Sequence, residues 1–565
     1  MIKARHFQPR SAARNQRILA RTTRLGVFGV LGSQKDLVYI GVGASNANRP
    51  FLGLIGLESV HLCPIKMRIC FVCDFFLPNI GGVEKHILHL SQHLLERGHH
   101  VVVLTHAYTT GDGVVYSGEQ NIGNLRVYYV PRWVIHDQVT FPNPLLFYNT
   151  FREILLRERI DIVHGHQSTS TMAHECLFIA RTLGVKTVLT EHSLYDSSSS
   201  SNGNFFASSF FSFDLFVNKV LEITVADIDH IICVSNSCLT NVMTRTNLMQ
   251  KKVYIDNPNM ISMIPNAFTA SQFQPITANE VKQIQSKGMR EARTTENNNK
   301  NGVTNYMEHG VTVVLLSRLV QRKGIDLVAQ IIPRMCEKYP YLRFLIGGDG
   351  PKKQLLENMI TQHQLASRVE LLGSIPFDEA RDVLIQGDIF LNCSYTESFC
   401  ISLLEAAACG LQVVSTNVGG VPEVLPPHLI SLCEVDLDAI IQSLGSEVEQ
   451  CIQNKGDNIL NEQQQDYDYK SRRHQEVARL YSWQTTAMRT EQIYSQVLRN
   501  DTSTFHDRLH KYANIGFSSN TVFAILLLIL LEVIDYMTTK IMSIAKSKRS
   551  DMKERQQLEQ VSIDI

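Results

Sequence analysis

The chain predicts an α/β protein of two parallel-sheet halves, with an apolar helix near its C-terminus. Three observations carry this. Short apolar runs alternate with helical stretches from Met67, and the same alternation restarts at Val311. The runs end in glycine-rich or charged turns, and an open parallel sheet binds its ligands at those carboxyl ends. Finally, Val522–Leu531 is an uninterrupted apolar decamer.

Composition narrows the classes. A length of 565 residues allows roughly three to four domains, each able to bury a full core. The formal net charge of zero argues against a nucleic-acid partner, because phosphate neutralisation needs a marked basic excess. Twelve cysteines are scattered without metal-ligand spacing. Cys70-Phe71-Val72-Cys73 has CxxC form but lies in an apolar run, so it reads as buried thiols in a reducing compartment.

Residues 1–66 carry Lys3, Arg5, Arg10, Arg14, Arg17, Arg21, Arg24 and Lys35 before the first acid, Asp36, and read as a disordered basic extension. Translation starting at Met67 is the alternative. Residues 67–275 form the first domain. Its strands are Met67–Cys73, His100–Thr105, Leu125–Val130, Ile160–His164, Val185–Thr190, His230–Val234, Val253-Tyr254 and Met263-Ile264, and a helix opens at Gly81-Gly82 and stops at Gly98. Residues 276–310, with Asn297-Asn298-Asn299, are a polar insertion. The second domain spans 311–500. Within it Gly445–Arg473 looks loop-like, and a helix covers Trp483–Val497 with Trp483 as a packing anchor. Residues 519–541 are a transmembrane candidate, with Glu532 and Asp535 tolerable near one interface, and 542–565 a polar tail.

The chemistry gathers at the turns. Glu397 and Glu405 stand eight positions apart across a strand end, a turn and the first two turns of a helix, so both carboxylates can face one pocket. The helix start between them, at Phe399, Cys400 and Ile401, offers backbone N–H groups to a phosphate. Upstream, Arg318 and Lys323 bracket a short loop after Val311–Leu316, a fork-shaped guanidinium and a point charge suited to a diphosphate. Gly347, Gly348 and Gly350 follow the next strand, with Pro351 at a first helical position. Each feature has a bland alternative: a solvated acidic pair, a solvated basic loop, an ordinary strand-to-helix turn. In the first domain, Gly81-Gly82 and the histidines His166 and His192 sit at strand ends.

Ser317–Asp326, Gly347–Pro351, Glu397–Gly410 and Val418–Val424 resemble the donor half of retaining GT-B glycosyltransferases of family 4, in which most members have glycine where this chain has Cys400. Glu-Ser-Phe-Cys, Gly410–Thr416 and Asp74–Glu84 are narrower matches, to the family of catalytic subunits that transfer N-acetylglucosamine (GlcNAc) to phosphatidylinositol and start glycosylphosphatidylinositol (GPI) anchor synthesis. The resemblance implies the GT-B arrangement, two Rossmann-like domains facing a cleft, with the 483–497 helix crossing back onto the first. It implies a UDP-GlcNAc donor held without a metal or other cofactor. Arg318 and Lys323 would meet the diphosphate, Glu397 the sugar and terminal phosphate, Glu405 the ribose, and Gly347, Gly348 and Gly350 the same crevice. His192 would lie beside the sugar and acceptor hydroxyl, His166 more weakly so, and Gly81-Gly82 near the phosphates or acceptor. Further subunits and an endoplasmic reticulum location with the catalytic domains cytosolic are also implied. The basic residues after the apolar segment, Lys540, Lys546, Lys548 and Arg549, favour instead a cytosolic tail.

A phenylalanine-rich stretch (Phe205, Phe206, Phe210, Phe211, Phe213, Phe216) after Ser197–Ser201 could dip into a membrane or pack into the core. Transfer of another sugar, such as mannose from GDP-mannose to a lipid, and a non-catalytic scaffold remain open alternatives.

Overall fold

A computed structural model describes residues 66–195, 213–277, 280, 310–456, 462–515 and 519–563, with short interruptions at 80, 112, 251–253 and 256. The basic extension up to residue 65, the serine run, Phe205, Phe206, Phe210, Phe211 and nearly all of the 276–310 insertion lie outside these residues.

The first sheet is built from β1 (Arg68–Val72), β2 (His100–His106), β3 (Gly118–Ile122), β4 (Leu125–Val130), β5 (Ile162–His166), β6 (Lys186–Glu191), β7 (His230–Cys233) and β8 (Ile261–Met263). Its order is β8-β7-β6-β5-β1-β2-β4-β3, parallel except for the β3–β4 edge pair. Chain order reverses between β1 and β5, which makes a crevice there for ligands. Cys70 and Val72 enter one apolar core and Ile69, Phe71 and Cys73 another. Side chains alternate with period two, so β1 is covered on both faces. Cys70 and Cys73 are fully buried, and burial pushes both thiols well above their ordinary range.

Helices α1 (Gly82–Glu96), α2 (Pro144–Glu158), α3 (Thr171–Thr182), α4 (Phe213–Asp227) and α5 (Asn236–Arg245) connect these strands. Tyr254 stands in a helical turn rather than the expected strand, and the edge strand is Ile261–Met263.

The second sheet repeats the plan. Strands β9 (Val311–Leu316), β10 (Leu342–Gly347), β11 (Val369–Gly373), β12 (Ile389–Asn392), β13 (Gln412–Thr416) and β14 (Ile430–Cys433) lie in the order β11-β10-β9-β12-β13-β14, all parallel. Its switch point falls between β9 and β12. Helices α6 (Ile325–Lys338), α7 (Lys353–Gln362) and α8 (Ile401–Ala408) follow β9, β10 and β12. Pro351 precedes the Lys352 N-cap of α7 instead of opening the helix.

The stretch Gly445–Arg473, expected to be loop-like, is mostly helical: it lies in α9 (Leu437–Gly456) and α10 (Glu462–Leu480). Ile440, Leu444 and Val448 bury one face of α9 at four-residue spacing. Helix α11 (Trp483–Arg499) then returns to the first domain. There Trp483, 3% exposed, stacks on His89 of α1 at 5.2 Å and meets His86 edge-on at 5.5 Å.

After α12 (Phe505–Ala513), α13 runs from Ser519 to Ile563. Its Thr521–Ser543 portion is long and apolar enough to cross a membrane, by length and composition. Its acids face protein: Glu532 turns toward α12 and Asp535 toward the first domain. Glu532 lies 3.5 Å from Arg508, and Asp535 accepts hydrogen bonds from Tyr148 at 2.8 Å and Arg152 at 3.1 Å. Pairing with protein cations offsets part of the penalty that unpartnered carboxylates would carry in an apolar segment.

Candidate functional site

On the second domain, the Gln321–Lys323 turn is locked beside the segment leaving β12. Tyr395 N–H donates to the Arg322 carbonyl at 2.9 Å. Gly324 takes φ 67°, and a Cβ there would come within 1.9 Å of the Cys393 carbonyl oxygen, so only glycine allows the approach. The lock brings Lys323 Nζ onto Glu397 as an ion pair, and Ser394 Oγ donates to the same carboxylate oxygen at 2.8 Å.

Arg318 lies in the same electrostatic neighbourhood. Burial and the adjacent Arg322 lower its pKa, while Glu84, Asp137 and Glu397 oppose that shift. Gly348 fixes the loop beneath it: with φ 138°, any Cβ would fall 1.8 Å from the Ser317 carbonyl oxygen. Gly350 makes a similar approach to Leu319. The conformational demand at these glycines is therefore loop-on-loop packing. Gly347 packs against the side chains of Leu316 and Ile375, which leave no room for a Cβ.

Glu405 lies in the second turn of α8, 7% exposed. Burial raises its pKa and the charge of Lys85, from α1 in the other domain, opposes the rise. Phe399 is a core anchor, packed edge-on against Tyr481 at 5.5 Å, and its backbone leads into α8. Cys400 is the N-cap of α8 in the left-handed region, φ 66° and ψ 76°. A non-glycine residue there is strained, which explains why glycine suits the position.

The helix starts differ in their caps. Helices α2, α3, α5, α11 and α12 are capped by the side chains of Asn143, Ser170, Ser235, Ser482 and Thr504. Helices α1, α6 and α8, which carry the candidate residues, begin at Gly81, Gly324 and Cys400 with no side-chain cap, as does α7 at Lys352. Glu84 and Asp326 stand in the first turns of α1 and α6, whereas α8 has no acid there, which leaves its start a partial positive charge for an anion.

On the first domain, Asp74 anchors the loop that leads to Gly81. It is fully buried and accepts hydrogen bonds from Thr140 Oγ1 at 2.7 Å, Ser170 Oγ at 2.9 Å and Met172 N–H at 3.1 Å. Gly82 has open space around its Cα, whereas the Glu84 carboxylate covers Gly81. Glu84 feels the field of Arg318, though burial, the larger effect, raises its pKa.

The histidines form a buried stack. His166 Nδ1 and His192 Nε2 are 3.2 Å apart, His86 Nδ1 meets Asn266 Oδ1 at 2.8 Å, and His164 lies between Tyr494 OH at 2.6 Å and Thr190 Oγ1 at 2.7 Å. Burial holds His164, His166 and His192 well below the ordinary histidine pKa and takes His86 to about 4, so all four are neutral near pH 7. His166 is 0% exposed. Its ring meets that of His192, which is half-buried and stands between His166 and the surface of the first domain's strand ends. Ring nitrogens of His86, His166 and His192 lie within 4.8 Å of one another, the one set among the described residues able to gather around a metal ion.

The structure thus brings Arg318, Lys323, Glu397 and Glu405 into one electrostatic neighbourhood with α1 of the opposite domain. Sequence reasoning misses Lys85 and Glu84, whose roles depend on which domain surfaces meet, and Ser394, whose bond to Glu397 depends on the turn the chain takes after β12. It also misses Glu423, which reaches from the second domain to the N-terminus of α5, accepting from Asn236 N–H at 2.7 Å and Ser237 N–H at 2.8 Å. The glutamate within Val418–Val424 is its only visible signal.

Comparison with known proteins fits this geometry. Residues 299–467 match the glycosyl transferases group 1 family model and residues 106–199 a model described as PIGA (GPI anchor biosynthesis). A sucrose-phosphate synthase from Thermosynechococcus elongatus shares the GT-B fold, with TM-score 0.55 at 16% identity over 76% of this chain and 99% of that one. The A subunit of phosphatidylinositol N-acetylglucosaminyltransferase from Arabidopsis thaliana is 39% identical over 85% of this chain and 92% of its own length. The Homo sapiens protein of that name is 39% identical over 80% and 82%. With matched relatives along most of its length and the cleft of a group 1 glycosyltransferase, the chain belongs to the family of phosphatidylinositol N-acetylglucosaminyltransferase A subunits.

Proposed function

We propose that this chain transfers GlcNAc from UDP-GlcNAc to phosphatidylinositol with retention at the anomeric carbon. It works as the catalytic member of a multi-subunit complex in the endoplasmic reticulum membrane, with its two domains on the cytosolic side. The observation that carries the proposal is the joining of Lys323 to Glu397, with Arg318 nearby, beside the uncapped start of α8.

In this reading Arg318, Lys323 and the first N–H groups of α8 hold the diphosphate. As the bond from the sugar to phosphate oxygen breaks, these groups stabilise the charge growing on UDP, the part a metal ion plays elsewhere. Glu397, turned by Lys323 and Ser394, orients the sugar and terminal phosphate. Glu405 accepts hydrogen bonds from the ribose hydroxyls. Neutral His192 stands beside the sugar, and open Gly82 leaves room for the acceptor. The inositol hydroxyl attacks on the face the leaving group departs from, forming the new bond there while its proton passes to the departing phosphate oxygen.

Membranes containing the chain and its partner subunits, supplied with radiolabelled UDP-GlcNAc and phosphatidylinositol, should yield labelled GlcNAc-phosphatidylinositol. Chelator should leave the rate unchanged. Labelled GDP-mannose should give no product, and incorporation of mannose in place of GlcNAc would overturn the donor assignment.

A further inference from the structure

On the side of the first domain away from the cleft, α2, the end of α3 and α13 enclose a groove of about 450 Å³. Leu155, Leu156 and Leu183 form its apolar wall, and Arg152, Arg159 and Asp535 are its charged groups. That volume is in the range of small-molecule pockets, roughly 300–1,000 Å³. Ile160 and Val185, also at the groove, stand just before β5 and β6. The groove therefore opens at the amino ends of strands whose carboxyl ends carry His166 and Glu191. A strand of five residues separates the two edges by roughly 17 Å, so the groove is distinct from the donor site.

The two arginines are not equivalent. Arg152 is engaged with Asp535 at 3.1 Å and Thr539 at 3.2 Å. Arg159 is exposed and has no ion-pair partner among the described residues. It also occupies the left-handed C-cap of α2 at φ 51°, a position glycine fills more easily. The groove is continuous with α13, whose Phe523, Leu526, Leu530, Val533, Met537 and Ile541 form an exposed apolar stripe at helical spacing. An apolar wall, a free guanidinium and a helix able to enter a bilayer together match an amphiphile with an anionic head.

We propose that this groove binds one glycerophospholipid with an anionic headgroup, its phosphate on Arg159 and an acyl chain along Leu155, Leu156 and Leu183. The lipid is separate from the acceptor and, lying beside Asp535 in the middle of α13, holds the exposed apolar stripe of that helix along the membrane surface. The site needs no step of the transfer reaction.

The test uses the full-length chain with its accompanying subunits, released from detergent in native mass spectrometry after incubation with phosphatidylserine or, separately, phosphatidylcholine. Phosphatidylserine is chosen because it is not the acceptor, so failure here would leave the transfer reading untouched. One phosphatidylserine should be retained per chain, at least fivefold over phosphatidylcholine. Arg159→Gly should reduce that retention at least fivefold with transfer activity unchanged, since glycine adopts φ 51° without strain. Leu183→Trp, which fills the groove, should do the same. Equal retention of the two lipids, or undiminished phosphatidylserine retention by both variants, would overturn the proposal.

Discussion

The Glu423 carboxylate caps the first turn of α5 from the opposite domain, taking the N–H of Ser237 at 2.8 Å and its Oγ at 2.7 Å. A negative charge at a helix N-terminus is worth up to about 2 kcal/mol when partly buried, and a lost cap typically costs about 1 kcal/mol. This contact therefore favours the arrangement in which Glu423 and the start of α5 face each other across the domains. Glu423→Ala should raise the donor KM up to about tenfold, since about 1.4 kcal/mol is a factor of ten. Ser237→Ala should have a smaller effect. Steady-state kinetics against donor concentration checks both, and an unchanged KM in Glu423→Ala would remove the latch.

Lys323 has two tasks in the proposed mechanism: it meets the diphosphate and it holds Glu397. Lys323→Ala leaves the Glu397 carboxylate to the Ser394 hydroxyl and takes a cation from the leaving group. Turnover should fall by about 10²–10³, the scale of losing one transition-state donor. Arg318→Ala should lower turnover by a few kcal/mol of barrier as well. Lys323→Arg keeps charge but alters reach, so it should recover part of the loss. Single-turnover rates with saturating donor separate this from weaker binding. Full activity in both alanine variants would end the donor-site reading.

Arg318, Lys323 and Glu397 are legible in the amino-acid sequence because they sit at strand ends where glycine and charge interrupt apolar runs, a local signal. Glu405 follows from helix spacing. Lys85, Glu84 and Glu423 carry no such mark, because their meaning comes from the facing domain. The loop expected over Gly445–Arg473 fails for a different reason. Its composition is polar, yet Leu444 and Val448 on α9, and Val477 on α10 just beyond it, are fully buried. A narrow apolar stripe specifies a helix even when most positions face water. Position along the apolar segment says little about the cost of its two acids, because Arg508 and Arg152, distant in sequence, decide it.

Cys400 offers a direct test of stored backbone strain. Its φ of 66° costs a non-glycine residue about 1–2 kcal/mol. Glycine removes that cost but frees the unfolded chain by roughly 0.4–1 kcal/mol. Cys400→Gly should therefore be neutral to mildly stabilising, by up to about 1 kcal/mol, with turnover within about twofold of the parent. Cys400→Val should be less stable than either, because a β-branched side chain tolerates positive φ worst. Thermal unfolding of the three proteins in one detergent should rank glycine first and valine last. A valine variant as stable as the parent would contradict the strain.

The histidine stack makes the first domain sensitive to acid. Burial depresses the folded pKa of His86 to about 4 from an ordinary value of about 6.5, and His164, His166 and His192 shift in the same direction. For a depressed group the unfolded chain binds the proton first. The stability is complete above about pH 6.5 and is lost as pH falls toward the folded value. One pH unit below the ordinary value, each histidine held neutral removes about 1.4 kcal/mol. Urea midpoints followed by Trp483 fluorescence should therefore drop steeply between about pH 7 and pH 5. His164→Gln, which cannot titrate, should lower stability at neutral pH through lost packing but flatten the slope by about one histidine's share. A slope unchanged by that substitution would mean that His164 is already protonated in the folded protein, or exposed to water, contrary to its place between Tyr494 and Thr190.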